Sequence, residues 1–129
     1  MNPLLISVGL FILACCLPAL EWKDDVMFGL RALAVGWSGI FAGVLAWYAN
    51  PVWAIGLLFG ALRKRAPAIL IGFIAIPLAL TVFNDLGRQL PADEGNVRKT
   101  AIVSVLPGGY VWLLSLVTAP IAAIFRKPK

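Results

Sequence analysis

The sequence predicts an all-α membrane protein with four transmembrane helices and both termini on the cytoplasmic side. Of the 129 residues, 61% are hydrophobic and only 13% are charged, and the mean hydropathy is +0.93. This composition lies far from that of soluble domains. The apolar residues also form runs close to the ~20 residues that cross a bilayer as a helix. Residues 1–129 therefore form a single transmembrane domain.

Polar segments divide the apolar residues into four predicted spans. These lie at about residues 3–20, 37–62, 66–83 and 101–125, with outer loops at about 21–36 and 84–100. Pro3 suits the first turn of a helix, where its missing N–H leaves no hydrogen bond unmade. The 84–100 loop combines both signs of charge with Gly and Pro, which is typical of a segment outside the bilayer.

The stretch before and within the second span fits this scheme least well. Its apolar part from residue 32 to 62 would be about 46 Å long as one helix, against roughly 30 Å of hydrocarbon. Two spans and a turn need more residues than this stretch has. We predict an interfacial segment around 26–35 and then a span kinked at Asn50-Pro51, because proline removes a helical hydrogen bond. A re-entrant segment with Asn50-Pro51 at its tip is the alternative.

Charge clusters set the predicted orientation. With four spans, one side carries six basic residues and no acidic one, namely Arg63, Lys64, Arg65, Arg126, Lys127 and Lys129. All six acidic residues fall on the other side. Because short cytoplasmic loops are enriched in Lys and Arg, both termini and the 63–65 loop are predicted to be cytoplasmic in a bacterial inner membrane.

Small residues recur at helical spacing around the start of the second span. Gly36, Gly39, Gly43, Ala46 and Asn50 would share one face of a continuous helix. Small side chains let helices approach closely, and an Asn can hydrogen-bond across the contact. This face is our candidate surface for helix packing within the bundle or for a partner.

A second candidate site combines chain breakers with aromatic residues. Trp47, Asn50 and Pro51 lie together in the second predicted span, and Pro107, Gly108 and Gly109 interrupt the fourth. Breaks of this kind inside a span free backbone groups that neighbouring helices must satisfy. We predict a kink or a polar pocket at these residues.

The residues from Gly43 to Pro51 read G-V-L-A-W-Y-A-N-P. This stretch resembles a G-x-x-A-W-x-A-N-P signature of uncharacterised small multi-pass bacterial inner-membrane proteins. The resemblance implies a bacterial source and a polytopic fold. It carries over no activity, ligand or catalytic residue.

The residue types present disfavour an enzyme. The chain has no histidine, and no Asp or Glu lies within a predicted span, so a buried proton relay or a histidine metal site lacks its usual groups. We predict no catalytic residue, no metal and no cofactor. The basic residues flank apolar runs instead of forming one surface with stacking aromatics, so nucleic acid is not a predicted partner.

The predicted function is therefore that of a non-enzymatic membrane protein. Its partners would be the lipid bilayer and either another membrane protein or a second copy of the chain. It would act through helix packing, as an accessory subunit or as an immunity-type protein that blocks a toxin within the membrane. The alternative is a small oligomeric channel or transporter lined by the broken helices.

Overall fold

A computed structural model describes residues 3–23, 25–38, 43–87, 90–91 and 99–125, and within these the fold is mostly helical. The α-helices are α1 (Pro3–Cys16), α2 (Gly29–Val35), α3 (Ala49–Ala61), α4 (Arg65–Leu80) and α5 (Pro107–Phe125). The strands are β1 (Pro18–Trp22), β2 (Val26–Phe28), β3 (Leu90–Pro91), β4 (Lys99–Thr100) and β5 (Ile102–Val105). A 3₁₀ turn over Ala46–Tyr48 precedes α3, and another over Thr81–Asp85 continues α4.

Helices α1, α3, α4 and α5 pack as an antiparallel bundle, with α5 between α1 and α4 and with α3 beside α4. The helices approach one another closely where small residues lie between them. Gly56 of α3 faces Gly72 of α4, and Gly72 also lies against Pro120 of α5. The interior is made largely of alanine, including Ala49, Ala75, Ala79 and Ala119. Small side chains bring the helix axes near each other and gain dispersion contacts along the whole interface.

A small antiparallel sheet closes one end of this bundle. Its strand order is β2-β1-β5, so β1 pairs with both of the other strands. Strands β3 and β4 form a separate antiparallel pair. The sequence analysis did not predict any strand. Ile102, Val103 and Val105 are β-branched residues that favour strands, but within an apolar run they also suit a buried helix.

The prediction of four transmembrane helices is not supported. Within the described residues, two helical segments are long and apolar enough to cross a membrane, Arg65–Asp85 and Pro107–Phe125. Helices α1 and α3 have 14 and 13 residues, which gives each a length of about 20 Å against roughly 30 Å of hydrocarbon. Within the first predicted span, 3–20, helix α1 ends at Cys16 because Pro18 disfavours helix at the residue before it. Strand β1 begins at Pro18 instead.

The second predicted span, 37–62, is helical over only part of its length. Gly43 has φ +77°, in the left-handed region that a right-handed helix does not contain. The helix α3 begins only at Ala49, so Pro51 lies in its first turn. Proline is tolerated there, and the predicted kink is instead a helix start. The predicted interfacial segment at 26–35 coincides with β2 and α2.

The fourth predicted span, 101–125, divides into strand β5 and helix α5. Pro107 is the first residue of α5, a position where proline is favoured. Gly108 and Gly109 then sit against the backbone of β1, where an added Cβ on Gly108 would lie 2.6 Å from the Pro18 carbonyl oxygen. The Pro-Gly-Gly sequence therefore starts the helix and seats it on the sheet, and does not break it.

Candidate functional site

The bundle interior contains a hydrogen-bond network that joins α1, α3 and α5. The Ser7 hydroxyl donates to the Ser115 carbonyl oxygen at 2.7 Å and accepts from Trp53 Nε1 at 2.9 Å. The Ser115 hydroxyl donates to the Trp112 carbonyl oxygen at 2.6 Å. Ser7 and Ser115 are 0% exposed and Trp53 is 8% exposed. Polar groups at this depth need partners inside the protein, and the Ser7 hydroxyl and two backbone carbonyls of α5 supply them.

Two aromatic contacts extend this network. The rings of Phe11 and Trp53 stack with centroids 4.2 Å apart, which fixes the indole whose N–H reaches Ser7. Nearer the sheet, Trp112 Nε1 donates to Asn50 Oδ1 at 2.7 Å. Each of these contacts joins two different helices, so the network determines how the helices sit against one another.

The predicted small-residue face does not form one helix face. Gly36 caps α2, and a Cβ added there would lie 2.5 Å from Trp47 Cδ1. Gly43 is exposed in a turn, Ala46 is buried with Val82 and Val105, and Asn50 bonds Trp112. Gly39 lies outside the described residues. These positions serve separate contacts because Trp47 lies against Leu33 and Gly36, an approach that one continuous helix from 36 to 50 would not allow.

The residues of the predicted polar pocket are likewise divided. Trp47 Nε1 donates to the Leu33 carbonyl oxygen at 2.9 Å, whereas Asn50 faces α5. Pro51 and Pro107 are exposed, and Gly108 and Gly109 are buried against β1. The structure therefore joins Asn50 to Trp112, whereas Trp47 bonds the backbone of α2 and Gly108 and Gly109 lie against the backbone of residues 17–19.

Sequence reasoning missed Ser7, Trp53 and Ser115 as a group. Serines within apolar runs are expected to hydrogen-bond helix backbones, and Ser115 does so within its own helix. Ser7 also bonds a helix backbone, that of Ser115 in a different helix 108 residues away in sequence. No spacing within α1 signals a partner so distant along the chain. The Gly56/Gly60 spacing does mark a close contact, since both residues are buried where α3 packs on its neighbours.

Large apolar side chains point outward around the bundle. The exposed ones on the four bundle helices include Leu5, Ile6, Ile12, Leu13, Ile55, Leu58, Leu70, Phe73, Ile74, Leu114, Ile121 and Phe125. The core between these helices is mostly alanine, glycine and serine. A soluble bundle shows the opposite distribution, with its large apolar residues inside. An exposed apolar surface of this extent marks contact with a membrane or with another protein.

The charged groups lie at the two ends of the bundle. Near the sheet, Arg31 Nη1 contacts Asp25 Oδ2 at 2.9 Å, and Ser104 Oγ donates to Glu21 Oε2 at 2.8 Å. The hydrogen bond from Arg31 lowers the pKa of Asp25, and the Val26 N–H adds to this shift. Both groups of the ion pair are largely exposed, so its contribution to stability is small.

Asp85 is buried, whereas Glu21 and Asp25, the other acidic residues that the structure describes, are exposed. It closes the 3₁₀ turn after α4 and is 4% exposed. The sequence analysis placed it at the start of an outer loop, yet the fold buries its side chain. Among the described residues, no group of three or more His, Cys, Asp or Glu side chains could hold a metal ion.

Comparison with known proteins adds no family assignment. No protein-family model, no curated protein and no solved structure matches the chain. The resemblance of the Gly43–Pro51 stretch to small bacterial membrane proteins therefore stays a prediction.

Proposed function

We propose that the chain is a non-enzymatic protein of a bacterial inner membrane that acts by packing its outer surface against another membrane protein. The observation that supports this best is the distribution of side chains in the bundle, with small residues inside and large apolar residues outside. Helices α4 and α5 would cross the bilayer. The end of the bundle that carries Arg63, Lys64 and Arg65 would face the cytoplasm, as would both chain termini.

The interior favours docking over transport. Trp53 bonds Ser7, Ser7 and Ser115 each bond a backbone carbonyl of α5, and Asn50 accepts from Trp112. A channel or transporter needs polar groups that face a water-filled path. The polar groups described here are used in holding helices together, which leaves the outer surface as the part of the bundle that can recognise a partner.

The outward face of α1 offers the closest approach for a partner helix. Gly9 is exposed, and a Cβ added there would meet nothing within 4 Å. Leu5, Ile6, Ile12 and Leu13 flank it and are exposed as well. A small residue between larger ones forms a notch into which a second helix can pack. We propose that this face, defined by Gly9 and its four exposed neighbours, docks the partner, as in an accessory subunit or an immunity protein.

A photo-crosslinking amino acid at residue 9 tests the proposal in native membranes. We expect a specific foreign membrane protein to be captured there. The matched control places the same amino acid at Leu70, which is also exposed, on α4, and should capture lipid or nothing.

The variant Gly9→Leu then separates docking from folding. Since the site is open, the variant should insert and fold normally while capture from a neighbouring position such as Ile6 is lost. Equal capture from Gly9 and Leu70, or unchanged capture in Gly9→Leu, would contradict docking at this face. Capture of only the chain itself would instead favour the oligomeric alternative and call for flux measurements.

A further inference from the structure

The turn between α3 and α4 contains a strained arginine. Arg63 has φ +59° and is the one non-glycine residue with positive φ in the described part of the chain. Its N–H bonds the Gly60 carbonyl at 3.1 Å, and the Lys64 N–H bonds the Phe59 carbonyl at 2.8 Å. This pair of bonds is the Schellman motif, in which glycine is the usual residue at the left-handed position. An L side chain is strained there, so the fold by itself favours glycine over arginine at residue 63.

The same turn concentrates positive charge at one end of the bundle. Arg63, Lys64 and Arg65 are consecutive and exposed. Arg65 Nη2 donates to the Ile124 carbonyl at 2.7 Å, which ties the turn to the end of α5. In sequence, three further basic residues follow at 126–129, and all six acidic residues belong to the segments 21–25 and 85–94. Among the residues that the structure describes, this end of the bundle therefore carries three cations and no acidic side chain.

Exposed apolar side chains lie directly beside these cations. Leu58 and Leu62 precede the turn, Leu70 follows it, and Phe125 at the end of α5 is 78% exposed. A change from apolar to cationic surface within about one helical turn matches the boundary between hydrocarbon and headgroups. Strained residues persist where the surrounding structure or a function retains them, and the charge is what arginine supplies here that glycine cannot.

We propose that Arg63 and Lys64 form a binding site for the phosphate of an anionic phospholipid headgroup, with Arg65 holding the turn against α5. A guanidinium binds phosphate through two parallel hydrogen bonds, and an ammonium adds a point charge. The site rests on the membrane location in the proposed function. It goes beyond that function because it assigns a lipid class to one end of the bundle.

Lipid selectivity in bilayers tests this site. The full chain is reconstituted in phosphatidylcholine vesicles with a trace of spin-labelled phosphatidylglycerol or spin-labelled phosphatidylcholine, and the motionally restricted fraction of each label is measured. We expect a severalfold preference for phosphatidylglycerol that falls at high salt. Inorganic phosphate at constant ionic strength should leave the preference unchanged, and its loss to that competitor would overturn a lipid site.

Three variants separate charge from backbone conformation. Arg63→Asn keeps a residue that tolerates the left-handed region and should reduce the preference severalfold, since each cation near a membrane surface adds about a fivefold attraction. Arg63→Gly should reduce it equally while raising Tm by a few degrees, because the strain is relieved. Lys23→Gln removes one exposed charge at the sheet end and should change neither quantity.

The outcomes distinguish this site from the membrane proposal itself. A restricted component with no preference for phosphatidylglycerol would overturn the headgroup site alone. An equal loss of preference in Lys23→Gln, or a lower Tm in Arg63→Gly, would also overturn it. Absence of any motionally restricted lipid would show that the chain is not embedded and would remove the proposed function with it.

Discussion

Removal of the Ser7 hydroxyl should weaken the contact between α1 and the rest of the bundle. In Ser7→Ala, the hydrogen bond to the Ser115 carbonyl is lost, and the Trp53 indole N–H loses its acceptor. An interhelical hydrogen bond in a membrane protein contributes about 0.6 kcal/mol on average, and a buried donor left without an acceptor costs about 1–3 kcal/mol. We therefore expect Ser7→Ala to lower the free energy of unfolding by ~2 kcal/mol, about 30-fold in the folding equilibrium.

Ser115→Ala is the matched control for this variant. Both serines are 0% exposed, and both changes remove one hydroxyl. The Ser115 hydroxyl, however, bonds the Trp112 carbonyl three residues earlier in its own helix. A local bond of this kind contributes little to helix association, so we expect a cost of ~0.5 kcal/mol or less. The comparison therefore isolates the contact between helices from the loss of a buried hydroxyl.

Reversible denaturation in mixed micelles, followed by far-UV circular dichroism, measures both variants. Adding Trp53→Phe to Ser7→Ala removes the orphaned donor, so the double variant should cost less than the sum of the two single variants. Two results would contradict the coupling of α1 to α3 and α5 through Ser7. One is that Ser115→Ala destabilises as much as Ser7→Ala, and the other is that the effects of the two changes in the double variant are additive.

Three further predictions concern close contacts and one ion pair. Gly108→Ala should destabilise the fold by more than ~2 kcal/mol, because its Cβ would lie 2.6 Å from the Pro18 carbonyl oxygen and 2.8 Å from that of Leu17. Normal thermal unfolding would contradict the packing of α5 on the sheet. Gly72→Ala should cost about 1–3 kcal/mol, since its Cβ would lie 2.8, 3.1 and 3.2 Å from Pro120 Cβ, Cδ and Cγ. The cost should be smaller in a Pro120→Gly background, which removes all three atoms, when measured in the same melt. In a carboxyl NMR titration, Asp25 should titrate below its ordinary pKa. Its small contribution to stability is therefore present above the unfolded-state pKa. That contribution disappears as the pH falls through the lower, folded-state pKa. Arg31→Ala should move that midpoint up, and an unchanged midpoint would exclude the ion pair as its cause.

Some elements follow from local sequence and could be predicted. The third apolar run, 66–83, corresponds to α4 and its 3₁₀ extension over 65–85, because the run is long and bounded by charge at one end and by Asn84-Asp85 at the other. Its internal proline, Pro77, does not end the helix. The helical part of the fourth run was predictable for the same reason, with apolar residues continuous from Tyr110 to Phe125 apart from small polar side chains.

Other elements could not be predicted because several structures suit the same residues. An apolar, β-branched run such as Ile102–Val105 suits a buried strand or a helix equally well, and only pairing with β1 selects the strand. Gly36, Gly43 and Ala46 have helical spacing, yet a spacing has meaning only if the chain between its members is helical. The chain between them is not helical throughout, because Gly43 has a positive φ.

The apolar character of the chain, the position of its charges along the sequence and two of its long helices follow from the amino-acid order alone. These are properties of composition and of short windows, in which each residue type has its own transfer energy and backbone preference. Only the packed fold establishes which small residues face each other, that Ser7 bonds α5 through Ser115, that Asp85 is buried and that β1 pairs with both β2 and β5. Those features depend on contacts between distant segments, whose energies arise only when the whole chain has packed.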